Sequence, residues 1–263
     1  MKTRIKLIMF LILIPIILLL IVVAIIDYKF NQLKPKMLYS DCLKVWAHRG
    51  YSKESPENSL ESYKKAFELG AKGVEMDIFF DLDLQDFIVS HDYPYKLENG
   101  KFLRLEDVFT NIGGLGYFWL DFKNLNSMSA NNASIAVTKM YNLLQQNNLL
   151  KKVIIESTDP VNLSRFSKAG LYTSYWIYPD SNRSLFHFWV TIYKYKLNYL
   201  LGEFSALSMD KDYYNTKIEK IFSHIPIHLF TVNDNKLLMT LTRKQNVKII
   251  LSDENFYSIN SCK

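Results

Sequence analysis

Ionisable side chains follow or end four apolar segments in the first half of the chain. They are His48 and Arg49, Glu75 and Asp77, His91 and Asp92, and Asp121 and Lys123. Alternate side chains of a strand share a face, so the two pairs spaced by one residue each project together. Carboxylates converging in an apolar surround need a cation, and hard divalent ions such as Mg²⁺ or Ca²⁺ prefer oxygen ligands. Histidines titrate near neutral pH and could serve as acid and base.

Each of these residues, taken alone, also has a simpler explanation. Glu75 or Asp77 could cap a helix or form a salt bridge, and His48 could be structural. Asp92 could begin a turn before Pro94, and Lys123 could pair with its neighbour two residues away. Their recurrence at the ends of consecutive segments favours a shared site.

The elements that must position these residues alternate between strand and helix patterns. Strands are predicted at 44–48, 73–79, 87–91, 116–123, 152–157, 171–177, 199–208, 227–232 and 247–252, and helices at 59–69, 130–147, 160–169, 183–196, 211–222 and 235–245. Strands alternating with helices predict parallel pairing and an α/β fold. About eight such strands over roughly 220 residues suit a (β/α)₈ TIM barrel, with a doubly wound open sheet as the alternative.

Two details refine this fold prediction. No Gly-x-Gly-x-x-Gly segment follows the first strand, which argues against a dinucleotide-binding sheet. Only "FDLDLQD" separates the second and third strands, too little for a crossover helix, so a tight turn and an irregular barrel are expected there. In a TIM barrel the active site lies at the carboxyl ends of the strands, where the ionisable residues occur.

The N-terminal segment 7–26 is apolar and uncharged, and it has the length of a bilayer's hydrocarbon core. Lys2, Arg4 and Lys6 precede it, which predicts a cytoplasmic N-terminus. No small-x-small cleavage site follows, so an uncleaved signal anchor is favoured over a removed signal peptide. We therefore predict an anchor at residues 1–26, a tether at 27–43 and a catalytic barrel at 44–263. The protein would be a single-pass inner-membrane protein whose barrel is extracytoplasmic or periplasmic.

Charge and cysteine content add two limits. The net charge of +6 suits juxtamembrane anchoring or attraction to anionic lipid, and no pattern typical of nucleic-acid binding is present. Cys42 and Cys262 would both lie at the barrel end opposite the site, because the first and last strands are neighbours. Export makes their pairing possible, and Cα atoms more than about 7 Å apart would exclude it.

The motifs together resemble the glycerophosphodiester phosphodiesterase family, part of the phosphatidylinositol-specific phospholipase C-like superfamily. The matching segments are "AHRG" (47–50), "PENS" (56–59), "GVEMDI" (73–78), "VSHD" (89–92), "LDFK" (120–123), "VIIES" (153–157), "LFTVND" (229–234) and "IILSDE" (249–254). The likeness runs from about residue 44 to residue 254. The His-Arg-Gly, Glu-x-Asp and His-Asp elements are specific when they occur in this order.

The resemblance implies a role for each matching residue. His48 and His91 would be the catalytic pair, and Glu75, Asp77 and Asp121 would hold one divalent cation, Mg²⁺ or Ca²⁺. Phosphate would be bound by Arg49 and Lys123. Glu57 and Asn58 would support the first loop, and Trp176 is a candidate wall for the substrate, with core packing as the alternative.

Three departures from the family pattern bear on the substrate. Asp121 stands where the family usually has glutamate, Ser59 replaces threonine, and only about 30 residues separate His91 from Asp121. The family's usual glycerol-enclosing insertion is therefore shortened, and a more open mouth would admit a bulkier diester such as a lysophospholipid. With this shorter region the chain also resembles the sphingomyelinase D-like branch of the superfamily.

The expected function is metal-dependent hydrolysis of a glycerophosphodiester to sn-glycerol 3-phosphate and an alcohol, or of a related lysophospholipid. A membrane-tethered, catalytically degenerate module that binds phospholipid headgroups is the alternative. A degenerate copy would be expected to have lost at least one of the histidines, carboxylates or phosphate-binding residues. The aromatic stretch 185–201 has two explanations, core packing and contact with a membrane interface.

Overall fold

The computed structural model of the chain describes residues 2–98 and 100–262. Eight parallel strands close into a barrel: β1 (Val45–Ala47), β2 (Gly73–Asp81), β6 (Tyr117–Phe122), β7 (Val153–Ser157), β8 (Tyr172–Trp176), β9 (Ala206–Asp210), β10 (Ile227–Phe230) and β11 (Val247–Ser252). Neighbouring strands follow this order, and β1 pairs with both β2 and β11, which closes the ring. The predicted TIM-barrel fold is confirmed, and the open sheet is wrong.

Eight α-helices accompany the strands in the described part of the chain. They are α1 (Lys2–Asn31), α2 (Leu60–Glu68), α3 (Leu105–Ile112), α4 (Ala130–Gln146), α5 (Pro160–Lys168), α6 (Leu185–Gly202), α7 (Thr216–Ile221) and α8 (Asn235–Thr242). Short 3₁₀ turns occupy Leu125–Ser127 and Lys211–Tyr213. Side-chain caps fix several starts: Ser59 and Ser62 form a capping box on α2, and Asp159 caps α5 ahead of Pro160.

The predicted tight turn between the second and third strands is confirmed. The third strand, β3 (Asp86–Val89), pairs antiparallel with β2, with Ile78 opposite Val89 and Asp81 opposite Asp86. The hairpin tip therefore projects beyond the carboxyl ends of the other barrel strands. The following segment contains two further short strands, β4 (Leu97–Glu98) and β5 (Lys101–Phe102), and helix α3, none of which was predicted.

Two boundary predictions were wrong. The strand predicted from residue 199 is helical at its start, because α6 continues to Gly202 and β9 begins only at Ala206. Tyr199 is buried, and Glu203 ends the helix in the left-handed conformation. A short apolar run has no period that separates helix from strand, which explains the error. The predicted helix at 211–222 likewise divides into a 3₁₀ turn and α7.

The barrel interior is filled by a cluster that includes Trp46, Trp119, Ile154, Ala206, Ile249 and Leu251. Tyr39 joins this cluster from the segment before β1 and packs edge-on against Trp46 and Tyr117, with ring centroids 5.0 and 5.1 Å apart. The end opposite the catalytic mouth is thus closed by an aromatic plug. Cys42 and Cys262 form a disulfide there, with Cα atoms 5.3 Å apart.

Helix α1 includes a segment, Leu13–Asn31, that is long and apolar enough to cross a membrane, with a mean hydropathy of 2.5. The helix passes the predicted anchor boundary and ends at Asn31, where Phe30 is buried against the barrel. Lys2, Arg4 and Lys6, the predicted cytoplasmic flank, belong to a stretch whose side chains lie outside the described residues. The part of the predicted tether that follows the apolar segment directly is therefore helical and packed against the barrel.

Candidate active site

Three carboxylates meet at the catalytic end of the barrel. Glu75 and Asp77 project from β2, and Asp121 projects from the neighbouring strand β6, where it is paired in register with Asp77. Each offers one oxygen, and these oxygens lie within 4.8 Å of one another. All three residues are buried. The alternate spacing in the sequence is thus realised as a single acidic cluster.

Burial makes this cluster electrostatically costly. Desolvation, reinforced by repulsion from Asp77 and Asp121, raises the pKa of Glu75 well above its ordinary value. Burial also raises the pKa of Asp121, although Lys123 opposes the shift. A compact set of buried carboxylate oxygens is the donor set that a hard divalent cation prefers. The three residues therefore fit a Mg²⁺ or Ca²⁺ ion.

Two cationic side chains flank the carboxylates. Lys123 Nζ lies 2.7 Å from Asp77 Oδ1 and 2.6 Å from Asp121 Oδ2. Arg49 forms an ion pair with Asp77 (Nε–Oδ2, 3.0 Å) and another with Glu57 (Nη1–Oε2, 3.2 Å). Three carboxylates against two cations leave an excess of negative charge in the cluster, which favours a further cation.

Asp253, the residue directly after β11, contacts one ring nitrogen of His48 and orients the imidazole. Its Nδ1 lies 2.8 Å from Asp253 Oδ1, and Asn233 Nδ2 donates to the other carboxylate oxygen at 2.6 Å. Hydrogen bonding to His48 holds the pKa of Asp253 below its ordinary value, so the carboxylate accepts and Nδ1 carries the proton. The lone pair is then on Nε2, which lies 3.9 Å from Glu75 Oε2. His48 therefore points a basic nitrogen toward the carboxylates.

The loop after β1 is tied to the same cluster. Asn58 Nδ2 donates to Asp77 Oδ2 at 2.7 Å, and its Oδ1 accepts from Asp77 N at 3.1 Å. The backbone N–H of Arg49 donates to Glu75 Oε2 at 2.9 Å. Gly50 has φ +78°, and a Cβ there would lie 2.3 Å from Ser62 Oγ. Only glycine fits this position, where the loop passes over helix α2.

His91 occupies a different setting on the same end of the barrel. It follows β3, and the N–H of Ser90 donates to Asp77 O at 3.1 Å, which places this segment beside β2. His91 Nδ1 lies 2.8 Å from Asp92 Oδ1, and both side chains are exposed. A cavity of about 560 Å³ is lined by His91 and also by Glu57 and Asn58. His91 therefore shares a cavity with the loop whose Asn58 donates to Asp77.

Trp176 is placed apart from the acidic cluster. It ends β8 and packs edge-on against Phe230, with ring centroids 4.9 Å apart. Its buried Nε1 has no hydrogen-bond partner among the described residues. The ring lines a cavity of about 420 Å³ with Tyr178, Asp210 and Tyr213. Of the ten predicted site residues, eight form the acidic cluster or contact one of its carboxylates or ion-paired cations, His48 among them through Glu75. The other two, His91 and Trp176, line separate cavities.

Three polar residues of the site were not predicted as functional: Asp253, Asn233 and Glu156. The first two occur in the "IILSDE" and "LFTVND" segments, so the signal was present as strand ends without an assigned role. Glu156 is buried on β7, paired in register with Asp121, and accepts from Trp119 Nε1 at 2.6 Å and from Ser208 Oγ. Burial, then repulsion from Asp121, raises the pKa of Glu156 well above its ordinary value. It therefore extends the polar region into the barrel interior.

The comparison with known families agrees with the residues found at the site. The model of the glycerophosphoryl diester phosphodiesterase family matches residues 48–99. This range includes His48, the Glu75 and Asp77 pair, and His91. Over these residues the chain is similar to this family. Asp121, Lys123 and Trp176 lie outside the matched range.

Curated relatives are similar to short stretches of the chain. A glycerophosphodiester phosphodiesterase of Caldanaerobacter subterraneus is 48% identical over 48 residues, which are 18% of this chain and 19% of the relative. Glycerophosphodiester phosphodiesterase domain-containing protein 4 of the mouse is 35% identical over 71 residues, which are 23% of this chain and 11% of the relative. The chain thus spans about a fifth or less of the length of these family members.

Solved structures show the same fold over most of the chain. A glycerophosphodiester phosphodiesterase from Parabacteroides distasonis has a TM-score of 0.64 at 20% identity and covers 81% of this chain and 94% of its own. A phosphodiesterase from Oleispira antarctica in complex with the product sn-glycerol-3-phosphate has a TM-score of 0.61 at 18% identity and covers 80% and 92%. The family's barrel architecture is therefore shared well beyond the short range of sequence similarity.

Proposed function

We propose that this chain is a metal-dependent phosphodiesterase that hydrolyses glycerophosphodiesters, or related lysophospholipids, to sn-glycerol 3-phosphate or its acylated form and an alcohol. The observation that carries the proposal is the His48–Asp253 pair beside three buried carboxylates and two cationic side chains. The product bound to the Oleispira antarctica structure supports the same chemistry.

Glu75, Asp77 and Asp121 would hold one divalent cation, Mg²⁺ or Ca²⁺. When bound, the cation neutralises the phosphate and polarises the P–O bond. Arg49 and Lys123 already border the cluster and would contact the phosphate, Arg49 in a bidentate manner and Lys123 as a point charge. Asn58 and Glu57 would keep the first loop, and with it Arg49, in position.

His48 is the proposed general base. Its Nε2 takes the proton of the attacking oxygen, which belongs to water or to a vicinal hydroxyl of the substrate, while Asp253 stabilises the imidazolium that forms. With water as the attacking group, its P–O bond forms as the bond to the alcohol breaks, which gives the phosphomonoester directly. With a vicinal hydroxyl, the same displacement would close a cyclic phosphate, which a water molecule would then have to open to give the monoester. His91 donates a proton to the departing alkoxide. Because Asp92 Oδ1 lies 2.8 Å from His91 Nδ1, the other ring nitrogen, Nε2, would be the one that donates this proton.

Membrane attachment through α1 is the second part of the proposal. The apolar helix would serve as an uncleaved anchor with a cytoplasmic N-terminus and an extracytoplasmic barrel at residues 44–263, and the disulfide suits an oxidising compartment. The short region between His91 and Asp121 leaves an open mouth. A bulky diester with an acyl chain, held in part by Trp176, is compatible with that opening.

The test is product analysis with the purified full-length chain. Glycerophosphocholine and lysophosphatidylcholine are supplied with Mg²⁺ or Ca²⁺, and choline, sn-glycerol 3-phosphate and lysophosphatidate are quantified. We expect choline release that disappears in an Asp77→Asn variant, since Asp77 contacts Arg49, Lys123 and Asn58. Binding of either compound without turnover would instead identify a headgroup-binding module.

A further inference from the structure

The first turns of α6 carry an exposed apolar surface. Leu185, Phe186, Trp189 and Val190 are all exposed, Phe186 by 75%, whereas Phe188 and Ile192 on the other face are buried. The helix follows β8, and a helix that follows a barrel strand begins at the catalytic end. This surface, which we call the α6 rim, therefore lies at the mouth of the barrel.

Helix α1 docks on α6 with a defined direction. Phe30 packs against Tyr199, with ring centroids 5.8 Å apart, whereas Asp27 accepts from Lys196 Nζ at 2.7 Å and from Tyr193 OH at 2.8 Å. Earlier residues of α1 thus meet earlier residues of α6, and the two helices run parallel. The C-terminal end of α1 is held in addition by His224, whose Nε2 lies 2.8 Å from Phe30 O. Going toward its N-terminus, α1 therefore rises toward the catalytic end.

The apolar surface of α1 begins level with the α6 rim. Val23 and Ile26 are half-buried, and every residue from Leu13 to Val22 is exposed. A helix advances about 1.5 Å per residue, so Val22 lies about 7.5 Å above Asp27 and Leu185 about 12 Å above Tyr193. The membrane-crossing part of α1 and the rim thus form one continuous apolar surface on the catalytic side.

Outside α1 and the α6 rim, further exposed apolar side chains also lie at the catalytic end of the barrel. Leu82 and Leu84 lie at the tip of the β2–β3 hairpin, and Tyr93 and Leu97 follow His91, all at the catalytic end. Toward the opposite end, the described residues of this kind outside α1 are Met37, Leu115, Leu197, Leu201 and Met239. Apolar rims next to a membrane span are typical of interfacial contact.

We infer that the catalytic mouth faces the bilayer that anchors α1, and that the α6 rim rests among the lipid headgroups and upper acyl chains. The occupant of this surface is the anchoring membrane itself. The consequence for substrate, which rests on the proposed function, is that the diester is a lipid that enters the site from the bilayer.

Fluorescence quenching tests the orientation without reference to activity. The full-length chain is reconstituted into phosphatidylcholine vesicles with brominated acyl chains, in a Trp189→Phe background that carries either Phe186→Trp or Leu201→Trp. The two sites lie at opposite ends of the same helix and are both exposed, by 75% and 65%. We expect strong quenching of the first and little of the second. Equal quenching, no quenching, or the reverse order would overturn the inference.

Activity provides the second arm. A Phe186→Ser/Val190→Ser variant should hydrolyse lysophosphatidylcholine in vesicles severalfold more slowly than the wild type, yet turn over soluble glycerophosphocholine at the same rate. Leu201→Ser should change neither rate. Equal rates on vesicles for wild type and double variant would contradict the lipid route. If the wild type hydrolyses neither compound, the proposed function fails, and the quenching result still decides the orientation.

Discussion

The two candidate catalytic histidines share a local geometry and differ in what supports it. Each places Nδ1 2.8 Å from an aspartate oxygen. The aspartate of His48 comes from the last barrel strand, is 32% exposed and is held by Asn233, whereas the aspartate of His91 is its sequence neighbour and is 84% exposed. His48 itself is 21% exposed and His91 38%.

This difference indicates distinct roles. A base that must take a proton beside a metal and a phosphate benefits from a fixed tautomer and orientation, which a partly buried carboxylate held by a second residue provides. A histidine that protonates a variable alcohol can stand on a loop at the cavity wall. On the proposed mechanism, the first loop would carry the fixed part of the chemistry, and the His91 segment would meet the variable part of the substrate.

Removing the better supported histidine should have the largest effect. His48→Ala should lower kcat for a glycerophosphodiester by about 10³-fold or more, because it removes general base catalysis that contributes roughly 10²–10⁴-fold. Steady-state kinetics at saturating metal measures the loss, and circular dichroism checks the fold. Near-normal turnover in this variant would break the assignment.

His91→Ala should lower kcat about 10²-fold for a substrate with an alkyl leaving group, because an alkoxide gains most from protonation. The loss should be much smaller with a p-nitrophenyl diester, whose leaving group needs no proton. The ratio of the two rates, compared between wild type and variant, is the measurement. If both substrates lose activity equally, His91 is not the acid.

The supporting aspartates offer a matched pair. Asp253→Asn should lower kcat about 10- to 100-fold, the range found when a carboxylate that orients a histidine is replaced. Asp92→Asn removes a contact of the same 2.8 Å length from an exposed site and should leave kcat within about threefold, because exposed pairs contribute little. Equal losses in the two variants would remove the proposed distinction between the loops.

Two glycines extend the comparison to stability. Gly50 (φ +78°) faces Ser62, whereas Gly100 (φ +75°), in the segment after His91, has open space at its Cβ position. Gly100→Ala should therefore lower the free energy of unfolding by about 1 kcal/mol from backbone strain alone. Gly50→Ala should lower it by about 3 kcal/mol through strain plus steric overlap. Denaturant titration of both variants decides the order.

A third histidine gives a pH signature separate from catalysis. Burial inside the barrel lowers the pKa of His228 from 6.5 to about 3. The unfolded chain binds this proton below pH 6.5 and the folded chain does not, so stability falls as pH falls from 6.5 toward 3. The slope contribution is at most about 1.4 kcal/mol per pH unit. His228→Gln should flatten the profile measured by denaturation between pH 7 and pH 4; an unchanged slope would contradict the buried neutral state.

Much of this architecture was predictable, because the hydrophobic periodicity of strands and helices is visible in short segments of the sequence. Side-chain alternation and loop length predict the barrel strands, the β2–β3 hairpin and the shared face of Glu75 and Asp77. The end of α6 was not predictable, since its apolar C-terminal turn reads equally well as strand. The disulfide was left open, because it depends on how the barrel closes.

The partners of the site were harder to predict than its members. Asp253 is 205 residues from His48, and only closure of β1 against β11 brings them together. The direction of α1 was also hidden, because it depends on contacts of Asp27 and Phe30 with a helix far along the chain. Sequence spacing shows which residues share a strand face, and long-range packing decides which loops support them.

The central claim is that three buried carboxylates and His48 form one metal-dependent phosphodiesterase site. Its most direct test is turnover of glycerophosphocholine by wild type and Glu75→Gln, before chelation with EDTA, after it, and after Mg²⁺ or Ca²⁺ is restored. We predict that chelation stops the wild type, that the metal restores it, and that Glu75→Gln needs much more metal or stays inactive. Undiminished turnover after exhaustive chelation, or a variant with wild-type metal dependence, would contradict the account.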